Sequence, residues 1–211
     1  MRIFFRNLDE TSLAAFQQAQ IGNSCAISAA SAALNLLSGK EIQAEGWRNR
    51  VDSIPFPDVL RYRSLKGGPT MPAQQINLVE WMAFVHQIRI QQAHRGSLRK
   101  PDLFHELSSG NSAVLLTIGW WMGRAPEIVN GSSGRNLNQN ATWIGYHTML
   151  LAAYDEGHLC DDGIIRPWGL INSWQTGGLY LYWMQDHELM RSWGVYTPGG
   201  GVRASVLIKL L

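Results

Sequence analysis

Four residues of this 211-residue chain have the types and the chain order that acyl transfer by a thiol requires. Cys25 opens the run CAISAASAALNLL, Ala-rich and free of Gly and Pro, behind Gln20-Ile-Gly-Asn-Ser24. A helix N-terminus carries unpaired N–H groups and a positive partial charge, which favours a thiolate. A thiolate is the nucleophile that attacks a carbonyl carbon. Taken alone, a free Cys is more often a small buried apolar side chain. The other members change that weighting. His147 begins the apolar segment YHTMLLAAY and Asn172 ends the segment GLINSW. A nucleophile, a base and a group that orients the base are the parts of a thiol-dependent acyl transferase. Gln20, five residues before Cys25, has a side-chain amide that can donate to a developing oxyanion beside the Cys25 N–H.

A helix must position the cysteine and a sheet rim must position the other two. The spacing predicts a first helix from Cys25 to Leu37, stopped by Ser38-Gly39 and capped at its start by Asn23 or Ser24. A second helix is expected over Ala73 to His86 and a third over Pro101 to Ser109, with Gly110 beyond its end. Residues 40–72 read as irregular, with Pro55, Pro57, Pro69, Pro72 and Gly67-Gly68 marking turns. Strands are expected at 113–121, 146–154, 169–174 and 179–184 and in the closing segment VRASVLIKLL, with an exposed loop from Asn130 to Asn140. Helices first and strands second argue for an α+β chain of two packed lobes with an antiparallel sheet. The whole chain, 1–211, reads as one domain, with a helical lobe over about 18–110 and a β lobe over about 111–211.

Composition excludes several classes. Hydrophobic residues make up 45% of the chain and charged residues 16%, which rules out a disordered chain. Lys plus Arg number 18 against 16 for Asp plus Glu, with no basic stripe, so nucleic acid is not an expected partner. The apolar stretches are too short to span a bilayer, so no membrane insertion is expected. Two cysteines, Cys25 and Cys160, make neither a disulfide framework nor a four-ligand zinc site. The acidic run Asp155–Asp162, with His158 and Cys160, reads as a solvated turn rather than a metal site, and no cofactor is expected. The first ten residues lack the apolar core of a signal peptide, so the expected location is the cytoplasm, or outside the cell by a route without a cleaved signal. Nine tryptophans fit either a large core or a cleft lining, and the Trp120-Trp121 pair fits both equally.

In these motifs the chain resembles the papain-like cysteine peptidases. The matching segments are Gln20-Ile-Gly-Asn-Ser-Cys25-Ala heading the helix, Tyr146-His147 through Tyr154-Asp155, and Ile171-Asn-Ser-Trp-Gln-Thr-Gly-Gly178, over roughly residues 18 to 185. The resemblance implies a papain-like two-lobed fold, with Gln20 in the oxyanion hole, Cys25 as nucleophile, His147 as general acid and base, and Asn172 as its orienter. It also implies that Trp174 shields the His147–Asn172 pair, and that Gly67-Gly68 hydrogen-bonds the substrate backbone. Trp120 and Trp121 join these as candidate substrate-lining residues.

Departures from the family pattern point to a divergent bacterial or phage branch, similar to the compact peptidases that process bacteriocin leaders or to translocated effectors. Gln175 stands where a glycine usually follows Asn-Ser-Trp. The five-residue Gln-to-Cys spacing is one shorter than in papain and nearer to that of Josephin-type deubiquitinases. The family's usual disulfides are absent, and no propeptide is expected. The expected activity is cleavage of a peptide or amide bond in a protein or peptide substrate through a thioester. A glutamine deamidase or cell-wall amidase would use the same groups on another amide, and a catalytically silent binding module would keep only the fold. Oligomeric state stays open.

Overall fold

The computed structural model of the chain describes residues 1–20, 24–50, 72–130, 145–174, 179–197 and 201–211. In chain order its elements are β1 (Arg2–Phe4), a short 3-10 turn (Phe5–Asn7), α1 (Glu10–Ala14), α2 (Cys25–Ser38), α3 (Ala44–Arg50), α4 (Pro72–Val85), β2 (Ile90–Ser97), α5 (Lys100–Ser109), β3 (Ser112–Trp120), β4 (Val129–Asn130), β5 (Gly145–Asp155), β6 (Trp168–Ile171), β7 (Tyr182–Met184), α6 (Asp186–Trp193) and β8 (Ala204–Leu210). Helices dominate the first half and antiparallel strands the second, the α+β arrangement that the order of sequence patterns implies. The Gly67-Gly68 pair, Pro55, Pro57, Pro69, Asn23, Gln175 and nearly all of the 130–140 loop lie outside the described residues.

α2 forms because its small, straight-chain residues lose little entropy in a helix, and all residues from Ala26 to Leu37 are buried. Gly39 ends it in the left-handed region at φ 69°, donating its N–H to the Asn35 carbonyl at 2.8 Å. That conformation is cheap for glycine and strained for other residues. The start differs from expectation. Ser24 occupies the N-cap position, but its side chain makes no capping bond. A capping side chain requires an extended backbone, whereas Ser24 lies at φ −94°, ψ 26°. The first-turn N–H groups of Cys25 and Ala26 face the Cys25 sulfur instead.

All strand pairings are antiparallel, in the order β2-β8-β3-β5-β6-β7-β4, with β1 also on β5. β5 organises the sheet. One edge pairs with β3 over Gly145–Leu151 and with β1 over Ala153–Asp155; the opposite edge pairs with β6 over Leu150–Tyr154. Every residue of β3 is buried. Burial on both alternating faces requires a covering layer on each side of the sheet. α2 and α4 pack on each other and α2 packs on β3 and β5, while α5 and α6 pack on β3. Trp168, Trp183 and Trp193 are fully buried, so much of the tryptophan complement is core.

Sequence patterns missed β1, α1, α3, β2, β4 and α6, and Asn130, expected in an exposed loop, is buried in β4. β2 is the polar segment IQQAHRGS, interrupted by a register shift between Gln91 and His94. It lies at the end of the sheet and, among the described residues, pairs with β8 alone. An edge strand needs no apolar alternation on a second side. The Asp155–Asp162 run is a built turn. Asp162 accepts from Arg166 Nη1 at 2.8 Å and Nη2 at 2.7 Å, and Glu127 takes a further bond from this fully buried guanidinium.

Candidate active site

The candidate site lies where β6 stops. β6 pairs with β5 only from Leu150 onward, so the first residues of β5, including His147, extend beyond that ladder. Residues 172–174, expected as the tail of the strand, leave the sheet there and turn across His147 instead. A strand that ends early releases its next side chains from the pleat and lets them face the rim.

His147 is 3% exposed, and its Nε2 lies 2.7 Å from Asn172 Oδ1. Asn172 Oδ1 also accepts the Trp174 N–H at 3.2 Å. Two contacts on one oxygen fix which end of the amide is the acceptor. His147 Nε2 therefore carries the hydrogen, and Nδ1 is the basic nitrogen. The Trp174 ring stacks on the imidazole, with centroids 4.3 Å apart and planes 26° apart. Trp174 is held by its own carbonyl, which accepts from the Tyr182 hydroxyl at 2.5 Å and from Gln17 Nε2 at 3.3 Å. Gln17 and Tyr182 carried no sequence signal, since neither stands in a recognisable motif.

Gln20 is tied to the same segment. Its N–H donates to the Ser173 carbonyl at 3.0 Å, and its side-chain Oε1 accepts from Ser173 Oγ at 2.6 Å. Because Ser173 takes the oxygen end of that amide, the donating Nε2 end is turned away from Ser173. Hydrogen bonds and one ring stack thus gather Gln20, Asn172, Trp174 and His147 into one cluster.

Cys25 is half-buried at the start of α2. Burial pushes its thiol above the ordinary cysteine value, opposed by hydrogen bonds from the Thr148 N–H, from the N–H groups of Ala26 and Cys25, and from the Thr148 hydroxyl. Thr148 follows His147 directly on β5. Burial also lowers the His147 pKa from 6.5 to about 4, with the Asn172 hydrogen bond acting in the other direction. Both directions favour an uncharged thiol and an uncharged imidazole. The helix-terminal field that argued for a resting thiolate is outweighed by desolvation.

The two adjacent tryptophans part company. Trp120 is buried against Gly145, its register partner on β5. Trp121 is 47% exposed and meets Tyr146, the neighbour of His147, edge to face. Among the described residues no cluster of three or more His, Cys, Asp or Glu side chains is arranged to hold a metal ion, and no described helix is long and apolar enough to cross a membrane.

No known protein family matches the sequence, and no curated protein does. Among solved structures, the chain shares its fold with a protein from Bacillus anthracis that is a C39-like peptidase by designation. The TM-score is 0.56 at 12% identity, covering 99% of this chain and 97% of that one. The likeness is one of fold.

Proposed function

We propose that this protein is a thiol-dependent hydrolase that cleaves a peptide or amide bond through a thioester, with Cys25 as nucleophile, His147 as base and acid, Asn172 as orienter and Gln20 as oxyanion donor. The observation that carries this reading is the 2.7 Å bond between His147 Nε2 and Asn172 Oδ1 under the stacked Trp174 ring. It leaves Nδ1 as the nitrogen that can take a proton, on a strand whose next residue touches the thiol. A buried Asn172 whose Oδ1 is held by the Trp174 N–H, and a stacked tryptophan, are what a general base needs to keep one tautomer and one orientation.

The reaction starts from a neutral pair. His147 Nδ1 takes the thiol proton as Cys25 Sγ attacks the carbonyl carbon, forming the C–S bond and moving the carbonyl electron pair onto oxygen. Gln20 Nε2 and the Cys25 N–H donate to that oxygen, whose charge exists only near the transition state. The imidazolium gives its proton to the departing amine as the C–N bond breaks. Water then attacks the thioester, with His147 accepting the water proton and returning it to the thiol. A peptide substrate is supported by the fold shared with a designated peptidase.

The test pairs a thiol-directed covalent probe with turnover on peptide, glutamine-amide and cell-wall-peptide libraries. Cys25 should label and Cys25→Ser should abolish turnover while Tm is kept. His147→Ala should slow the reaction by about 10²–10⁴-fold, and Asn172→Ala by less, because it orients without moving a proton. Turnover that survives Cys25→Ser would overturn the reading.

A further inference from the structure

Beneath the thiol lies a polar trio that the reaction above leaves without a role. Thr117 on β3 and Thr148 on β5 are register partners, and their hydroxyl oxygens lie 3.2 Å apart. Gln75, on α4, sends its Nε2 hydrogens to both, at 3.2 Å to Thr117 Oγ1 and 3.0 Å to Thr148 Oγ1. All three side chains are buried. Valine has the same shape as threonine and favours strands at least as well, so packing alone does not require two hydroxyls and an amide here. Buried polar groups have a cost that only a satisfied network offsets.

Counting hydrogens leaves two directions for the Thr117–Thr148 bond, and the sulfur of Cys25 as an acceptor beside Thr148 selects the one in which Thr117 donates. The Gln75 amide places one N–H on each hydroxyl oxygen. If the Thr117 hydroxyl donates to Thr148 Oγ1, both acceptor sites of Thr148 are filled and its single hydrogen is left to donate. The sulfur of Cys25 is within reach of that hydroxyl and of the Thr148 N–H. Two donors from one residue then converge on the sulfur from the strand side, while the Cys25 and Ala26 N–H groups reach it from the helix side.

We propose that Thr148 is a catalytic residue that receives the developing thiolate of Cys25, and that Gln75 and Thr117 are positioning residues that keep its hydroxyl hydrogen on the sulfur. The inference rests on the reading of Cys25 as nucleophile. It explains how a charge can form on a sulfur that burial disfavours: donors already aimed at it stabilise the charge without reorganising. No atom is transferred along the network. Each hydrogen stays on its own oxygen or nitrogen, and only the Thr148 O–H···S contact shortens as charge grows.

The experiment measures the rate of Cys25 alkylation by iodoacetamide across a pH series in a Cys160→Ala background, with Tm recorded for each protein. His147, the titratable neighbour of Thr148 on β5, is unchanged in every variant. Thr148→Val should slow alkylation at neutral pH by about tenfold and move the pH midpoint upward by about one unit, as loss of one charge-assisted hydrogen bond does. Thr148→Ser should restore the rate to within about threefold of the parent. Thr117→Val leaves every contact of the sulfur in place and removes the hydrogen that directs Thr148. It should slow alkylation by about threefold, and it serves as the test if Thr148→Val does not fold. Parent-like rates and midpoints in the valine variants, or a serine variant as slow as the valine one, overturn the role of Thr148 and leave the Cys25–His147 reading standing. A parent whose Cys25 stays unlabelled across the whole pH series overturns that reading and this inference together.

Discussion

At the scale of single residues the site is governed by burial. An exposed histidine titrates near 6.5, and His147 is held neutral down to about 4 because the imidazolium would be desolvated. The unfolded chain therefore binds this proton at a higher pH than the folded one. The stability contributed by neutral His147 is complete above 6.5, falls as pH drops through the window from 6.5 to about 4, and stops falling below it. Between pH 7.5 and 4.5 the loss should be roughly 2–3 kcal/mol. Denaturant melts of the parent and of His147→Gln measure it, since glutamine does not titrate; identical pH dependence in the two proteins would show that the imidazole is not held neutral. Gln20 offers a second residue-scale test. Ser173 orients its amide, so Gln20→Ala should lower kcat by about 10²–10³-fold with little change in KM. A loss below about fivefold would assign the oxyanion to another donor.

At the scale of elements, two glycines separate stability from positioning. Gly145 begins β5 two residues before His147, opposite Trp120 on β3. A Cβ there would lie 2.0 Å from Trp120 Cζ2 and 2.4 Å from Cε2. Neither ring nor strand can absorb that overlap in a packed rim, so Gly145→Ala should cost about 1–3 kcal/mol and lower turnover as well, by shifting the strand that carries His147. Gly39 ends α2 with open space around a built Cβ and φ 69°. Gly39→Ala should cost about 1 kcal/mol and leave turnover unchanged. Tm and kcat measured on both variants check the contrast. If Gly145→Ala kept full activity, the start of β5 would not be setting the histidine position.

At the scale of the molecule, distant segments are tied by a charge that is fully buried. Arg166, on the approach to β6, takes Asp162 from its own turn and Glu127 from the segment before β4. Removing a partner leaves a guanidinium in the interior with an unmet charge, whereas removing the guanidinium leaves carboxylates that can reach water. Asp162→Ala should therefore lower Tm more than Arg166→Met does. The opposite order, measured by thermal melts at neutral pH, would mean that the arginine stem supplies packing rather than charge. The Arg166 hydrogen bonds hold the Asp162 carboxyl below its ordinary value. Its share of the stability is thus present above the usual carboxylate range and lost as pH falls below it.

Local pattern was enough for α2, α4, α5 and the central strands, because helix propensity, glycine stops and apolar runs act over a few residues. It was also enough to single out Cys25, His147, Asn172 and Gln20 as types in an order that chemistry could use. What sequence pattern could not supply depends on residues far apart in the chain. The early end of β6 at Ile171 frees Asn172 to meet His147, and strand length there is set by pairing with β5 rather than by the segment's own apolar run. Trp120 and Trp121 are chemically identical neighbours, yet the first is the last residue of β3 and packs against Gly145, while the second lies beyond the strand end and is exposed. The polar strand β2 exists because β8 offers it an edge. The protonation states of Cys25 and His147 are likewise tertiary outcomes. The helix terminus acts locally and favours charge on the thiol, whereas desolvation sums over every element packed around each group and prevails.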